Sequence, residues 1–346
     1  MEKQKIHLFV FNLSTDDKNQ VLKFNQDWVR AFSEFVDEIT VVSTHVGPNS
    51  LPSVINVIEI GGGNLRARLK SLQRLVKIGL QIGGSREKIA VFHHMSPRTA
   101  VILGPIMRFK NIPQGLWYSH SKASWELHLA SMFVNKIFST SPNSLPIKSK
   151  KAEFVGHGIN IEKFSLPLRV NRNQAILSLG RVTKIKNNEK LITEVSKTKR
   201  FNKEIHLAGP LDSDKYLFDL IEMGRINGVE VRYVGEVEND KIFDFLNGYS
   251  ICYTGNPNTV DKSVLEGAMS GCFTIGLQRF VMEQTGMIKV LQKSKMKYYD
   301  CLSNQIEVAD TLNDKIELRR DLSNWAKEMN NLENTVSRIL NGILKR

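Results

Sequence analysis

Two cations and a carboxylate, each placed where a strand pattern gives way to a helical one, are the residues of this 346-residue chain best suited to chemistry. Gly180-Arg181 closes the apolar run 175–179, and Lys186 follows five residues later, just ahead of a helical pattern over 188–199. Further on, Glu266 stands in Leu265-Glu266-Gly267-Ala268-Met269-Ser270-Gly271, before the strand pattern 273–275. At the carboxyl edge of a parallel sheet, a guanidinium fork, an ammonium and helix N-terminal amides could together grip a diphosphate. A carboxylate at the opening turn of the second helix could accept both hydroxyls of a ribose. The loop 256–263, with Asn258, Thr259, Asp261, Lys262 and Ser263, offers backbone amides at the same edge. Each piece alone has a plainer use: Arg181 and Lys186 as solvated loop cations, Glu266 as a surface acid favoured by a helix dipole.

The elements that must position these residues follow from alternating short apolar runs and helical patterns. Strands are expected at 6–13, 39–44, 54–60, 89–93, 115–120, 136–140 and 153–156, with helices at 20–34, 64–81 and 98–108. A second series of strands covers 175–179, 204–208, 229–234, 250–254 and 273–275, and the chain closes on one long amphipathic pattern over 318–344. Alternating strands and helices argue for α/β architecture with parallel sheets covered on both faces. The expected arrangement is two doubly wound, Rossmann-like domains facing across a cleft, 1–166 and 167–325, with the polar stretch 169–174 as hinge and a last helix, about 326–346, packing back on the first domain.

Composition bounds the rest. With 41% hydrophobic residues the chain can build a core in each of two domains. No apolar run reaches the ~18 residues of a membrane span, and the opening residues lead into a strand rather than a signal peptide. Three cysteines, Cys252, Cys272 and Cys301, lack disulfide or zinc-ligand spacing. A cytoplasmic location is expected. The net charge of +13 is uneven: residues 61–110 hold ten Lys and Arg and a single acid, Glu87. Something anionic is expected to approach the first half.

The motifs together resemble the retaining GT-B glycosyltransferases of family 4, also called group 1. Leu177-Ser178-Leu179-Gly180-Arg181 with Lys186 resembles the strand and donor-phosphate pair of that family. Ile205-His206-Leu207-Ala208-Gly209-Pro210 resembles its next strand and glycine turn, and the run from Val231 through Gly235 to Val237 its element beside the nucleotide base. Leu265 to Gly271 matches the helix carrying the second glutamate of its Glu-x7-Glu motif, and Gly156-His157-Gly158-Ile159-Asn160 its passage into the hinge. The resemblance implies a hexosyl transfer, with retention, from a nucleoside diphosphate sugar to a glycan or lipid-linked acceptor, in cell-envelope polysaccharide or lipopolysaccharide synthesis. It implies an acceptor-binding first domain and a nucleotide-sugar-binding second one, with no metal or other cofactor. It places His120, in Trp117-Tyr118-Ser119-His120, beside the reacting sugar, although a lone histidine at a strand end is also a common structural residue. Two departures stand out. Asn258 occupies the place of the first glutamate, followed by Val260-Asp261-Lys262 in place of Phe-Gly, and the turn Ser14-Thr15-Asp16-Asp17 lacks glycine. Asp261 or Lys262 is a candidate to take over part of the missing role.

Other features pull in different directions. Within 64–80, Leu65, Leu69, Leu72 and Val76 fall on one helical stripe and Arg66, Lys70, Arg74 and Lys77 on another. That pattern suits either an anionic membrane surface or acceptor, or a core-packed helix with a solvated face. Asp212-Ser213-Asp214 spells a DxD, but before a helix it reads as a cap. Adjacent His93 and His94 would point to opposite faces of a strand, which argues against a shared metal. The excess charge alone would permit nucleic-acid binding, yet no recognisable module accompanies it, so no nucleic acid is expected as partner. The Asn258 departure leaves open a catalytically reduced, sugar-nucleotide-binding subunit.

Overall fold

The computed structural model describes residues 5–19, 22–83, 88–164 and 167–345; the expected domain boundary at 166 and the first two residues of the helix expected over 20–34 lie outside these. The chain divides into two compact units, one formed by Met1–Asn160 with Asn330–Arg346, the other by Ile161–Met329.

In chain order the first unit runs β1 (Ile6–Thr15), α1 (Phe24–Ser33), β2 (Glu38–Val46), β3 (Asn56–Glu59), α2 (Leu65–Gln81), β4 (Lys88–His94), α3 (Pro97–Phe109), β5 (Gln114–Trp117), α4 (Trp125–Phe133), β6 (Lys136–Ser139) and β7 (Ala152–Phe154). The second runs β8 (Asn173–Leu179), α5 (Asn188–Lys197), β9 (Glu204–Ala208), α6 (Asp214–Ile226), β10 (Glu230–Gly235), α7 (Ile242–Leu246), β11 (Tyr249–Thr254), α8 (Lys262–Met269), β12 (Phe273–Gly276), α9 (Arg279–Thr285), α10 (Met287–Lys293), α11 (Leu302–Leu312) and α12 (Ile316–Asn330). The last helix, α13 (Leu332–Leu344), belongs to the first unit.

Both sheets are parallel, ordered β3-β2-β1-β4-β5-β6-β7 and β10-β9-β8-β11-β12. The order reverses between β1 and β4 in one and between β8 and β11 in the other, and open α/β sheets bind ligands at the carboxyl ends of strands at such switch points. Burial on both faces explains the continuous apolar strands. On one face of the first sheet Leu8, Val10 and Phe92 meet Trp28 and Phe32 of α1 and Val336 and Ile339 of α13. On the other face Phe11, Val42 and Val91 meet Leu75, Leu103 and Met107. In the second unit Ile176, Leu177, Ile205, Leu207, Ile251 and Ile275 are buried.

The amphipathic stretch expected as one helix over 318–344 is two helices in two units. Backbone groups that would continue the helix are spent on Ile159: its N–H donates to Asn330 O at 2.7 Å, and Leu332 N–H donates to its carbonyl at 3.0 Å. Asn331 then caps α13, its side chain accepting from Asn334 N.

Helix α2 also departs from the expected reading. Its buried residues are Leu75 and Gly79, a third side that neither stripe includes. A Cβ at Gly79 would lie 2.6 Å from Leu103 Cδ2, so the glycine permits close seating on α3. The leucine stripe is therefore at the surface, Leu65 at 74%, Leu69 at 55% and Leu72 at 41% exposure, beside exposed Arg66, Lys70, Arg74 and Lys77.

Candidate active site

Beside the second switch point, the ends of β8, β9 and β10 are joined by glycines. Gly180 N–H donates to Ala208 O, and Gly209 N–H donates to Gly235 O, both at 2.8 Å. Gly209 has φ +125°, and a Cβ there would sit 2.5 Å from Gly180 O, so only glycine lets these turns lie this close. Beyond Gly180 the chain runs beside the segment after β9, with Val182 N–H donating to Pro210 O at 2.8 Å. Val182 is buried by that pairing and Arg181, next to it, is exposed. Val237, expected near a base, is half-buried just after β10.

Lys186 ends a short 3-10 turn and is 9% exposed. The turn is locked to the end of β11. Asn187, in the left-handed region at φ 47°, donates through Nδ2 to Gly255 O at 2.7 Å, and Tyr253 Oη donates to Asn187 O at 2.9 Å. A Cβ at Gly255 would fall 2.1 Å from Lys186 O. Gly255 and Asn187 escaped the sequence reading; a glycine directly after an apolar strand was the available signal.

Lys186 Nζ donates to Asp261 Oδ2 at 2.7 Å, an ion pair largely withdrawn from solvent. Thr254 Oγ1 donates to the same oxygen at 2.5 Å and Asn256 Nδ2 to Oδ1 at 3.1 Å. Burial pushes the Asp261 carboxyl up, but the Lys186 charge and these three hydrogen bonds outweigh it and hold the carboxyl below its usual range. Asn256 also organises the loop, Oδ1 accepting from Asn258 N at 3.1 Å and Thr259 N at 3.4 Å. Asn258 itself is exposed. Ser263, expected to meet the donor, donates its hydroxyl to Leu179 O at 2.8 Å and ties α8 to the end of β8.

Glu266 does not open a helix turn as the sequence suggested. It is the fifth residue of α8, which begins one turn earlier because Val264 and Leu265 are already buried in the helix. Its side chain is 12% exposed, with the carboxylate 3.2 Å from Lys262 Nζ. The structure thus gathers Gly180, Lys186, Gly209, Asp261, Ser263 and Thr254 at one strand edge, with Arg181 exposed beside them.

The first switch point is built differently. A cavity of about 860 Å³ opens beside the ends of β1, β2 and β4, with Leu13, Ile60, Leu72 and Tyr118 among its apolar walls. Arg68, Arg98, Lys122 and His120 supply its cations and imidazole, and Glu126 its carboxylate. Arg98 Nη2 is 3.4 Å from Glu126 Oε1, and Arg68 Nε donates to Gly63 O at 3.0 Å. His120 is not at a strand end: β5 stops at Trp117, and His120 sits in the following loop, its N–H donating to Ser144 O at 3.0 Å and its Nδ1 accepting from Lys122 N at 2.9 Å. Arg66, Lys70, Arg74 and Lys77 stay outside this cavity. Arg68, on the same helix but off their stripe, lines it.

In the DxD the serine caps a helix, and the paired histidines lie on opposite faces of the sheet. Ser213 Oγ accepts from Tyr216 N and caps α6. His93 Nδ1 lies 2.8 Å from Thr99 Oγ1, whereas His94 stacks on Trp28 on the opposite face.

No protein-family model and no curated protein sequence matches the chain. Solved structures do. A glycosyltransferase from Rickettsia africae ESF-5 matches with a TM-score of 0.68 at 12% identity, over 98% of this chain and 99% of that one. Anabaena HepE in complex with UDP gives 0.69 at 10% identity, over 96% and 98%. WaaG, a glycosyltransferase involved in lipopolysaccharide biosynthesis, gives 0.55 at 10% identity, over 99% and 100%. At these identities the likeness establishes the fold, which is GT-B: α/β, with two parallel sheets.

Proposed function

We propose that the chain is a retaining glycosyltransferase moving a hexosyl unit from a nucleoside diphosphate sugar to a glycan or lipid-linked acceptor, in cell-envelope polysaccharide or lipopolysaccharide synthesis. The observation that carries this reading is the second switch point, where a buried ammonium, an exposed guanidinium and glycine turns meet at the strand ends. Its support from outside is the fold shared with HepE, solved with UDP and with UDP-glucose. Negative charge grows on the leaving diphosphate in the transition state, so Arg181 and Lys186 act by binding that charge more tightly than the ground state. These protein cations supply the stabilisation without a metal. Glu266 is the ribose ligand, and Gly235 and Val237 flank the base. His120 belongs to the reacting-sugar side of the first unit, whose cavity takes the acceptor.

The first unit is also proposed to lie against an anionic membrane, which makes the protein peripheral on its cytoplasmic face. Support comes from the exposed leucines of α2 beside four exposed cations. Each cation is worth roughly 1 kcal/mol near such a surface, so together about 4 kcal/mol. No helix among the described residues is long and apolar enough to cross a membrane. Sedimentation with vesicles should show binding that grows with anionic lipid and weakens when Arg66, Lys70, Arg74 and Lys77 become glutamine; equal binding to neutral vesicles sinks the membrane reading.

One observation favours a second reading, a catalytically reduced sugar-nucleotide-binding subunit. Asn258 carries no charge, and Asp261, the candidate to take over its role, is engaged by Lys186. Incubation with a panel of nucleotide sugars separates the two: hydrolysis or transfer with any of them supports the enzyme, and binding without turnover supports the subunit.

A further inference from the structure

Asp261 occupies the N-cap position of α8 yet makes no side-chain hydrogen bond to the helix. An aspartate there ordinarily accepts from the amides of the first turn and contributes about 1 kcal/mol. Here the carboxylate turns away, toward Lys186 and the end of β11, and all its hydrogen bonds come from Lys186, Thr254 and Asn256. A cap is forgone for a buried ion pair, and burying a pair brings little net stability, whereas leaving one partner alone costs several kcal/mol. The arrangement therefore points to what the lysine must do.

We propose that Asp261 is the positioning residue of the donor-phosphate lysine: its carboxylate holds the Lys186 ammonium fixed at the end of β8, and does not itself touch the donor. The inference rests on the donor reading above and departs from the expectation that Asp261 replaces the missing glutamate at the sugar. Geometry supports it. The pair is 11% and 17% exposed on its two side chains, and a Cβ built at Gly180 would lie 3.0 Å from Lys186 Nζ, so the ammonium sits against the glycine turn. The ion pair uses one of three ammonium N–H groups and leaves two for phosphate oxygens. The other titratable groups near the pair leave that assignment intact. The Cys252 thiol on β11 is pushed well above its ordinary value by burial and stays neutral. Glu266 on α8 faces Lys262.

Without Asp261, the Lys186 ammonium loses the carboxylate that holds it against the glycine turn. The test is calorimetric titration of UDP, GDP and ADP into wild type, Asp261→Ala, Lys186→Met and the Asp261→Ala, Lys186→Met double variant, a cycle that isolates the coupling between the two side chains. Asp261→Ala is expected to weaken binding about tenfold when Lys186 is present and by less than about twofold when Lys186 is already methionine. An equal loss on both backgrounds marks Asp261 as merely structural, or as touching the donor itself, and overturns the proposal. Wild type that binds none of the three nucleotides overturns the donor reading itself, a separate result.

Discussion

Where β8 and β11 part in the second unit, glycine turns and a buried Lys–Asp pair let backbone and charge come close together. Where β1 and β4 part in the first, the turn Ser14-Thr15-Asp16-Asp17 carries two carboxylates, and Asp17 Oδ1 is already bonded to Gln26 Nε2 at 2.9 Å. The neighbouring space is a cavity of about 860 Å³ with apolar walls and cations. One strand order thus supports two chemistries, because the loops decide what each switch point can hold. A diphosphate would meet ammonium and guanidinium at the second and carboxylates at the turn of the first. An acceptor with apolar and anionic parts suits the first.

The largest effect expected from breaking this division is at Arg181. Arg181→Ala removes an exposed side chain, so the fold and melting temperature should be preserved while turnover falls by about 100-fold or more; wild-type turnover would remove Arg181 from the chemistry. Lys186→Ala should cost as much activity and some stability as well, since it strands the Asp261 carboxylate.

A smaller effect sharpens the contrast. Arg98→Ala with Lys122→Ala should raise the acceptor KM by about tenfold or more, since loss of even one charged contact, worth about 1.5–3 kcal/mol, costs at least that. Nucleotide affinity should not change. A loss of nucleotide binding with the acceptor KM unmoved would reverse the assignment of the two sites.

The smallest effect is one of stability. Burial lowers His93 to about 4 and His94 to about 3. Folded pKa values below the unfolded value of about 6.5 mean that the unfolded chain binds protons first, so this stability is present above that value and is lost as pH falls toward the folded values. His94→Phe should flatten the acid limb of a thermal-melt profile, by up to about 1.4 kcal/mol per pH unit. A limb with the wild-type slope would show that His94 is not what makes the first unit acid-sensitive.

Much of the fold was legible in the chain because buried parallel strands read as apolar runs, and both sheets emerge from their alternation with helices. Gly180-Arg181 and Lys186 stood out because a strand end, a glycine and cations coincide in a short stretch. What escaped depends on pairing across distance. Lys186 and Asp261 lie 75 positions apart, and no local pattern announces their contact. The buried side of α2 escaped because Gly79 contributes to it by having no side chain, which a hydrophobic periodicity ignores. The break at Asn330 and Asn331 escaped because the amphipathic period continues through it, and only the backbone bonds to Ile159 interrupt the helix.

The central claim is that the second unit grips a nucleoside diphosphate through Arg181 and Lys186. Calorimetric titration of UDP, GDP and ADP into wild type and the Arg181→Ala, Lys186→Met double variant tests it directly. Saturable binding of at least one nucleotide by wild type, weakened by about 100-fold or more in the double variant, is the predicted result. Equal affinity in the two proteins, or no binding of any nucleotide by wild type, would contradict it.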